Sequence, residues 1–151
     1  MGTKKRERDS MVLVRYIVNN TDAAIDFYTK LLDFQVVMHP APGFAMLSRG
    51  ELRLALNVPN APGGGGGMSM PDGRQQQPGG WNRFSIEVND LAGMVEKLRK
   101  QGANFRNEIV TGTGGREILL DDPDGNPVEL FEPISQEDRQ PYPARYPGQS
   151  G

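Results

Sequence analysis

One unit is written twice in this chain. VRYIVNNTDAAIDFYTKLLDFQVV (14–37) and RFSIEVNDLAGMVEKLRKQGANFR (83–106) share a plan of short strand, Asn/Asp punctuation, amphipathic helix and second strand. Each copy then ends in strand-like runs, FAMLS (44–48) and LRLALN (52–57) in the first, REILLDD (116–122) and PVELFEP (127–133) in the second. A tandem duplication of this kind makes a shared cavity, so the residues facing that cavity matter most.

The local signals inside each copy are specific. MVLVRYIV (11–18) is β-branched and apolar and reads as a strand, with Leu13, Arg15 and Ile17 on one face and Val12, Val14, Tyr16 and Val18 on the other. The second face is the more apolar, so it should meet the helices. Asn20 or Thr21 can cap a helix whose apolar positions, Ala24, Ile25, Phe27, Tyr28, Leu31 and Leu32, recur at three and four residues. The second copy repeats this with Asp90 as N-cap, Leu91, Met94, Val95 and Leu98 as the buried stripe, and Gly102 at the end.

Between the copies lies PNAPGGGGGMSMPDGRQQQPGG (59–80), which reads as a long loop or linker. Its five-glycine run is not a phosphate cradle, because no Lys-Ser/Thr follows it and no strand leads from it into a helix. DDPDGNP (121–127) alternates acids as a calcium loop does. It lacks the glutamate at the twelfth loop position and enters a strand at once, so Asp-Gly and Asn-Pro make it a hairpin turn. The chain therefore divides into an N-terminal arm (1–10), a first module (11–58), the loop (59–80), a second module (81–133) and a polar, proline-rich tail (134–151) expected to be disordered.

Charge and cysteine content exclude several functions. A net charge of −2 offers no basic surplus for a phosphate backbone, and nucleic acid is not an expected partner. With no cysteine, disulfides, thiolate metal sites and thiol catalysis are out of reach, which fits a reducing compartment. The opening MGTKKRERDS is charged and followed by too short an apolar run for a signal or a membrane span. A soluble, cytoplasmic protein without membrane contact is the expectation.

AAIDFYTKLLDF (23–34) after a strand, VND (88–90) before the second helix, and above all DDPDGNPVELFEP (121–133) together resemble the vicinal oxygen chelate superfamily, which includes glyoxalase I, bleomycin-resistance proteins, fosfomycin-resistance enzymes and extradiol dioxygenases. The likeness covers roughly residues 11–133 and departs at Asp33, where the family commonly has glycine. The resemblance implies an α+β fold of two tandem βαβββ modules forming a curved mixed-sheet cup with helices outside, and it implies a homodimer, either side by side or with modules exchanged, both of which the long loop permits. It also implies that a metal, where the family has one, is held by first and last strands of the modules. Those positions here are Leu13, Ala55, Arg83 and Glu129, of which only Glu129 can ligate a hard cation, while Arg83 sets a fixed positive charge where the ion should be. The sole histidine, His39, stands alone in VVMHP and reads as an edge or turn residue. No metal site, no cofactor and no catalytic residue is assigned.

The predicted ligand-binding set is Arg15, Trp81, Arg83, Ser85, Glu87, Glu129 and Phe131, with Arg53 and Glu117 joining if their strand parity allows. Arg83 and Glu129 can form an ion pair that takes the place of a metal, which is compatible with ligand binding. Trp81, Phe44, Met46, Met68 and Met70 supply adaptable apolar contact, although Trp81 can equally pack under the loop. Three readings follow. The first is a metal-independent, bleomycin-resistance-type protein that binds a small molecule in its cup for resistance or sequestration. The second is a glyoxalase-like or fosfomycin-resistance-like lyase, isomerase or transferase with an atypical metal or acid–base site. The third is an accessory or dimerisation module whose cup is filled by its own side chains.

Overall fold

A computed structural model describes residues 11–134. The expected N-terminal arm, and the expected tail after its first residue, lie outside the described residues. In the first module, β1 (Leu13–Ile17), α1 (Thr21–Leu32), β2 (Gln35–Ala41), β3 (Phe44–Arg49) and β4 (Leu52–Asn57) make a four-stranded sheet ordered β1-β4-β3-β2. The second module repeats this as β5 (Ser85–Glu87), α2 (Leu91–Lys100), β6 (Asn104–Phe105), β7 (Val110–Thr111), β8 (Gly115–Asp121) and β9 (Pro127–Pro133). Its sheet runs β5-β9-β8-β6, with β7 also on β8. The α+β class and the paired βαβββ modules are thus as predicted. One difference is that the second strand of module two is broken: β6 pairs with the end of β8 and β7 with its start. Its counterpart β2 shows the same weakness as two register shifts against β3.

The helices start where their capping chemistry dictates. Asn20 Oδ1 accepts from the Ala23 N–H at 3.0 Å and Asp90 Oδ1 from the Gly93 N–H at 3.0 Å. At the far end of α1, Asp33 has φ 60, the left-handed conformation that suits the glycine common in the resembling family. Each helix lays its apolar stripe on the convex face of its sheet. Tyr16, Val18, Phe27, Tyr28, Leu32, Leu54, Leu56, Leu98, Ile118, Leu120 and Leu130 are all buried in one continuous core.

The two modules are joined through that core. Phe84, just ahead of β5, stacks at 5.4 Å from Tyr16 and 5.9 Å from Phe34 of the first module. The Tyr16 hydroxyl donates to the Pro127 carbonyl at 2.7 Å, and the Tyr28 hydroxyl donates to Asp122 Oδ2 at 2.9 Å. Asn126 Nδ2 reaches back to the Ile17 carbonyl at 2.8 Å. The hairpin read from DDPDGNP forms as predicted, with the Gly125 N–H bonded to the Asp122 carbonyl at 3.0 Å. It does a second job as the joint between modules.

Residues 59–80 are not a bare tether. The chain turns through a 3-10 segment at Gly65–Gly67 and is pinned by Asn60 N–H to Gly67 O (3.0 Å) and by Gln76 Nε2 to Gly66 O (2.9 Å) and Met68 O (2.9 Å). This glycine strap lies against the end of β4, where a Cβ on Gly67 would stand 2.6 Å from the Val58 carbonyl oxygen.

Candidate functional site: two concave sheet faces

In paired strands, residues in register share a face. With Tyr16, Leu54 and Leu56 turned to the helices, the register Leu13↔Arg53, Arg15↔Ala55 and Ile17↔Asn57 puts Leu13, Arg15, Ile17, Arg53 and Asn57 on the concave face of the first sheet. On the second sheet the pairs Ser85↔Glu129, Glu87↔Phe131 and Glu117↔Phe131 gather Ser85, Glu87, Glu117, Glu129 and Phe131 on its concave face. The open question of parity is thereby answered: Arg53 and Glu117 both belong to the concave side.

The second face carries the densest chemistry. Arg83 grips one carboxylate oxygen of Glu129 with Nε at 3.0 Å and Nη2 at 2.9 Å, and its Nη1 donates to the Trp81 carbonyl at 3.1 Å. The side chains are only 30% and 15% exposed, so the pair is partly shielded from solvent screening. Ser85 and Glu87 are exposed, and Phe131 and Glu117 are half-buried. Trp81 is 69% exposed, and its ring lies 4.7 Å from the guanidinium of Arg106. Arg106 is itself fixed by Asp121 Oδ1 (2.6 Å), the Gly80 carbonyl (2.8 Å) and the Gly125 carbonyl (2.8 Å). Trp81 is therefore a shelf mounted on an immobilised cation and not a residue packed under the loop. Arg106 escaped the sequence reading because its role depends on hairpin and loop carbonyls that no local pattern reveals.

Arg15 is exposed, sits on the other sheet, and donates from Nη1 to Asn57 Oδ1. Among the described residues, no hydrogen bond or ion pair ties it to the second-sheet set. His39 lies on β2, an edge strand, and is exposed, in line with the edge reading.

The resemblance would put a divalent ion at Leu13, Ala55, Arg83 and Glu129; Leu13, Ala55 and Glu129 lie on β1, β4 and β9, whereas Arg83 lies two residues ahead of β5. The four do not fit one: two are hydrocarbon, one is a cation, and the single carboxylate is bound through Oε1 to that cation. Among the described residues no three His, Asp or Glu side chains are grouped to share an ion. Away from the concave faces, a groove of about 500 Å³ runs between α1 and α2, bordered by Asp33, Arg49, Asp90 and Lys97. None of the predicted ligand-binding residues borders it.

Burial, not catalytic tuning, sets the perturbed titrations. Tyr16 is pushed up to about 12, chiefly by desolvation. Tyr28 is raised well above its usual value by burial and then by the neighbouring Asp122 charge. Both belong to the joint and not to a concave face.

Comparison with known proteins agrees with this architecture. The family model described as Glyoxalase/Bleomycin resistance protein/Dioxygenase superfamily matches residues 10–130. A solved member of that superfamily from Sphaerobacter thermophilus DSM 20745 is 26% identical, covers 81% of this chain and 95% of its own, and superposes with a TM-score of 0.64. TnmS3, an antibiotic binding protein from Streptomyces sp. CB03234, is 20% identical with a TM-score of 0.61, covering 82% and 94% of the two chains. A genomically encoded fosfomycin resistance protein from Listeria monocytogenes, at 14% identity and a TM-score of 0.63, covers 87% and 98%. These last two likenesses are of fold. No curated protein matches the sequence. Among the described residues no helix is long and apolar enough to cross a membrane. With its duplicated βαβββ modules, its concave sheets and the match over residues 10–130, the chain belongs to the Glyoxalase/Bleomycin resistance protein/Dioxygenase superfamily.

Proposed function

We propose that this protein binds a small molecule against its concave sheet faces without a metal ion, in the manner of a resistance or sequestration protein. The observation that carries this reading is the Arg83–Glu129 pair: the one carboxylate at the four metal positions is held by a guanidinium 2.9 Å away. Trp81 supplies an exposed flat surface beside that pair, with Ser85, Glu87 and Phe131 extending the contact along the sheet. Arg15 contributes from the first sheet. The antibiotic-binding relative of the same fold lends the reading plausibility of class, not of ligand. The chain works as a homodimer in this proposal, supported by the exposed apolar run Val36, Val37 and Met38 on edge strand β2.

Calorimetric titration of chelator-free protein with nickel, zinc and manganese is the direct test, and no stoichiometric binding is expected. Small aromatic compounds are then screened by quenching of Trp81, the only tryptophan in the chain. Tight stoichiometric metal binding that Glu129→Gln abolishes would sink the proposal. It would establish instead a glyoxalase-like or fosfomycin-resistance-like lyase, isomerase or transferase with an atypical site.

A further inference from the structure

The two concave faces carry opposite charge. The second presents Glu87, Glu117, Asp121 and Glu129 against Arg83 and Arg106. The first presents Arg15 and Arg53, and the strands that build it, LVRYI, FAMLSR and LRLALN, contain no Asp or Glu at all. Among the described residues neither Arg15 nor Arg53 has a carboxylate within ion-pair distance, although Arg74, Arg83, Arg99, Arg106 and Arg116 each have one. Both sit on the β1–β4 pair, Arg15 in register with Ala55 and Arg53 two residues before it, so the two guanidinium groups leave the same face as neighbours.

An independent observation points to the same place. Asn57 is wholly buried, its Oδ1 accepts from Arg15 Nη1, and its Nδ2 has no hydrogen-bond partner. Rotating the carboxamide would set Nδ2 against the guanidinium, donor facing donor, so the orientation is fixed and the donor is left over. A buried, unmatched N–H beside an unpaired arginine is a costly arrangement unless an acceptor completes it. Ser48, in register with Arg53, adds a hydroxyl to the same face. Above Arg15 passes the glycine strap, so close that a Cβ on Gly66 would stand 2.1 Å from Nη1.

We propose that Arg15, Arg53 and the Asn57 carboxamide form a seat for the oxyanion of the ligand, a carboxylate or a phosphate-type group, at the edge of the glycine strap. This rests on reading the concave faces as ligand surfaces, and it assigns the first sheet an acid-binding role distinct from the aromatic shelf on the second. All the seat's free groups donate, which selects an acceptor-only partner.

The test follows side-chain N–H resonances of the full-length ¹⁵N-labelled protein during titration with inorganic phosphate, then acetate, at constant ionic strength. The Nε–H signals of Arg15 and Arg53 and the Asn57 amide pair should shift saturably with at least one anion, while Arg74 stays still. Saturation with phosphate alone assigns a phosphate-type group, and saturation with both extends the seat to carboxylates. Arg53→Gln, which leaves the strap untouched, should weaken the response about tenfold. Shifts that rise linearly without saturating, or that are the same in Arg53→Gln, would overturn the seat. The outcome is separable from the ligand-binding proposal, since a working seat in a protein whose Trp81 no compound quenches would leave the seat standing alone.

Discussion

Asp122 is 2% exposed, yet it carries a carboxylate, and four donors surround it: the Tyr28 hydroxyl, Asn126 Nδ2, and the backbone N–H groups of Asp124 and Asn126. Those bonds favour the ionised form, but burial outweighs them and holds the carboxyl above its usual range. Because the folded pKa is raised, the folded chain binds the proton more readily than the unfolded one. The contribution of Asp122 is therefore fullest below the ordinary aspartate value of 3.8 and declines as pH rises through the raised folded value. Urea unfolding from pH 3 to 7 should show the wild-type advantage over Asp122→Ala shrinking across that window. The loss from Asp122→Ala at pH 4 should be about 3 kcal/mol, since several buried donors lose their acceptor at once. An advantage that grows with pH would contradict the assignment. The turn itself was readable from Asp-Gly and Asn-Pro, a local signal. The bond to Tyr28 was not, because it joins residues 94 positions apart.

At the scale of elements, what sequence revealed was what local chemistry controls. Asn20 and Asp90 cap because their side-chain oxygens accept from an orphan N–H three residues on, and β4 and β9 appear with the predicted bounds because their apolar runs are closed by Asn-Val-Pro and by Pro. The split of β6 from β7 was not legible, since it depends on how far β8 can be followed before the chain bulges away. Nor was the strap, where glycine looked like freedom and serves close approach. Two substitutions separate those roles. Gly67→Ala forces a Cβ to 2.6 Å from the Val58 carbonyl, whereas Gly65→Ala meets nothing within 4 Å. Hydrogen exchange at the Asn60 and Gly67 amides should accelerate in Gly67→Ala and stay unchanged in Gly65→Ala, with a stability loss of about 1–3 kcal/mol confined to the former. Equal behaviour of the two variants would mean the strap is not docked.

Across the whole molecule, the Arg83–Glu129 pair distinguishes a ligand-binding cup from one filled by its own side chains. Arg83→Leu with Glu129→Leu should unfold within about 1 kcal/mol of wild type, because a partly shielded ion pair offsets little more than its own desolvation. The double variant is expected to lose quenching of Trp81 by any compound that quenches the wild type. If quenching survived and stability rose, the pair would be filler. Strand parity follows from alternation alone, so it was legible in the sequence that Leu13, Arg15 and Ile17 share one face and that Ser85 and Glu87 share another. The partition of the cup residues into a basic sheet and an acidic sheet emerged only when register fixed Arg53 and Glu117. The joint between the modules has a further consequence during synthesis. Ile17 and Tyr28 meet Asn126 and Asp122 across 109 and 94 residues, so the first module leaves the ribosome long before its partners exist. Until the 122–126 turn is made, the nascent first module has an aromatic face and the Tyr28 hydroxyl unmatched, so its packing is completed only when the second module's β8–β9 hairpin is synthesised.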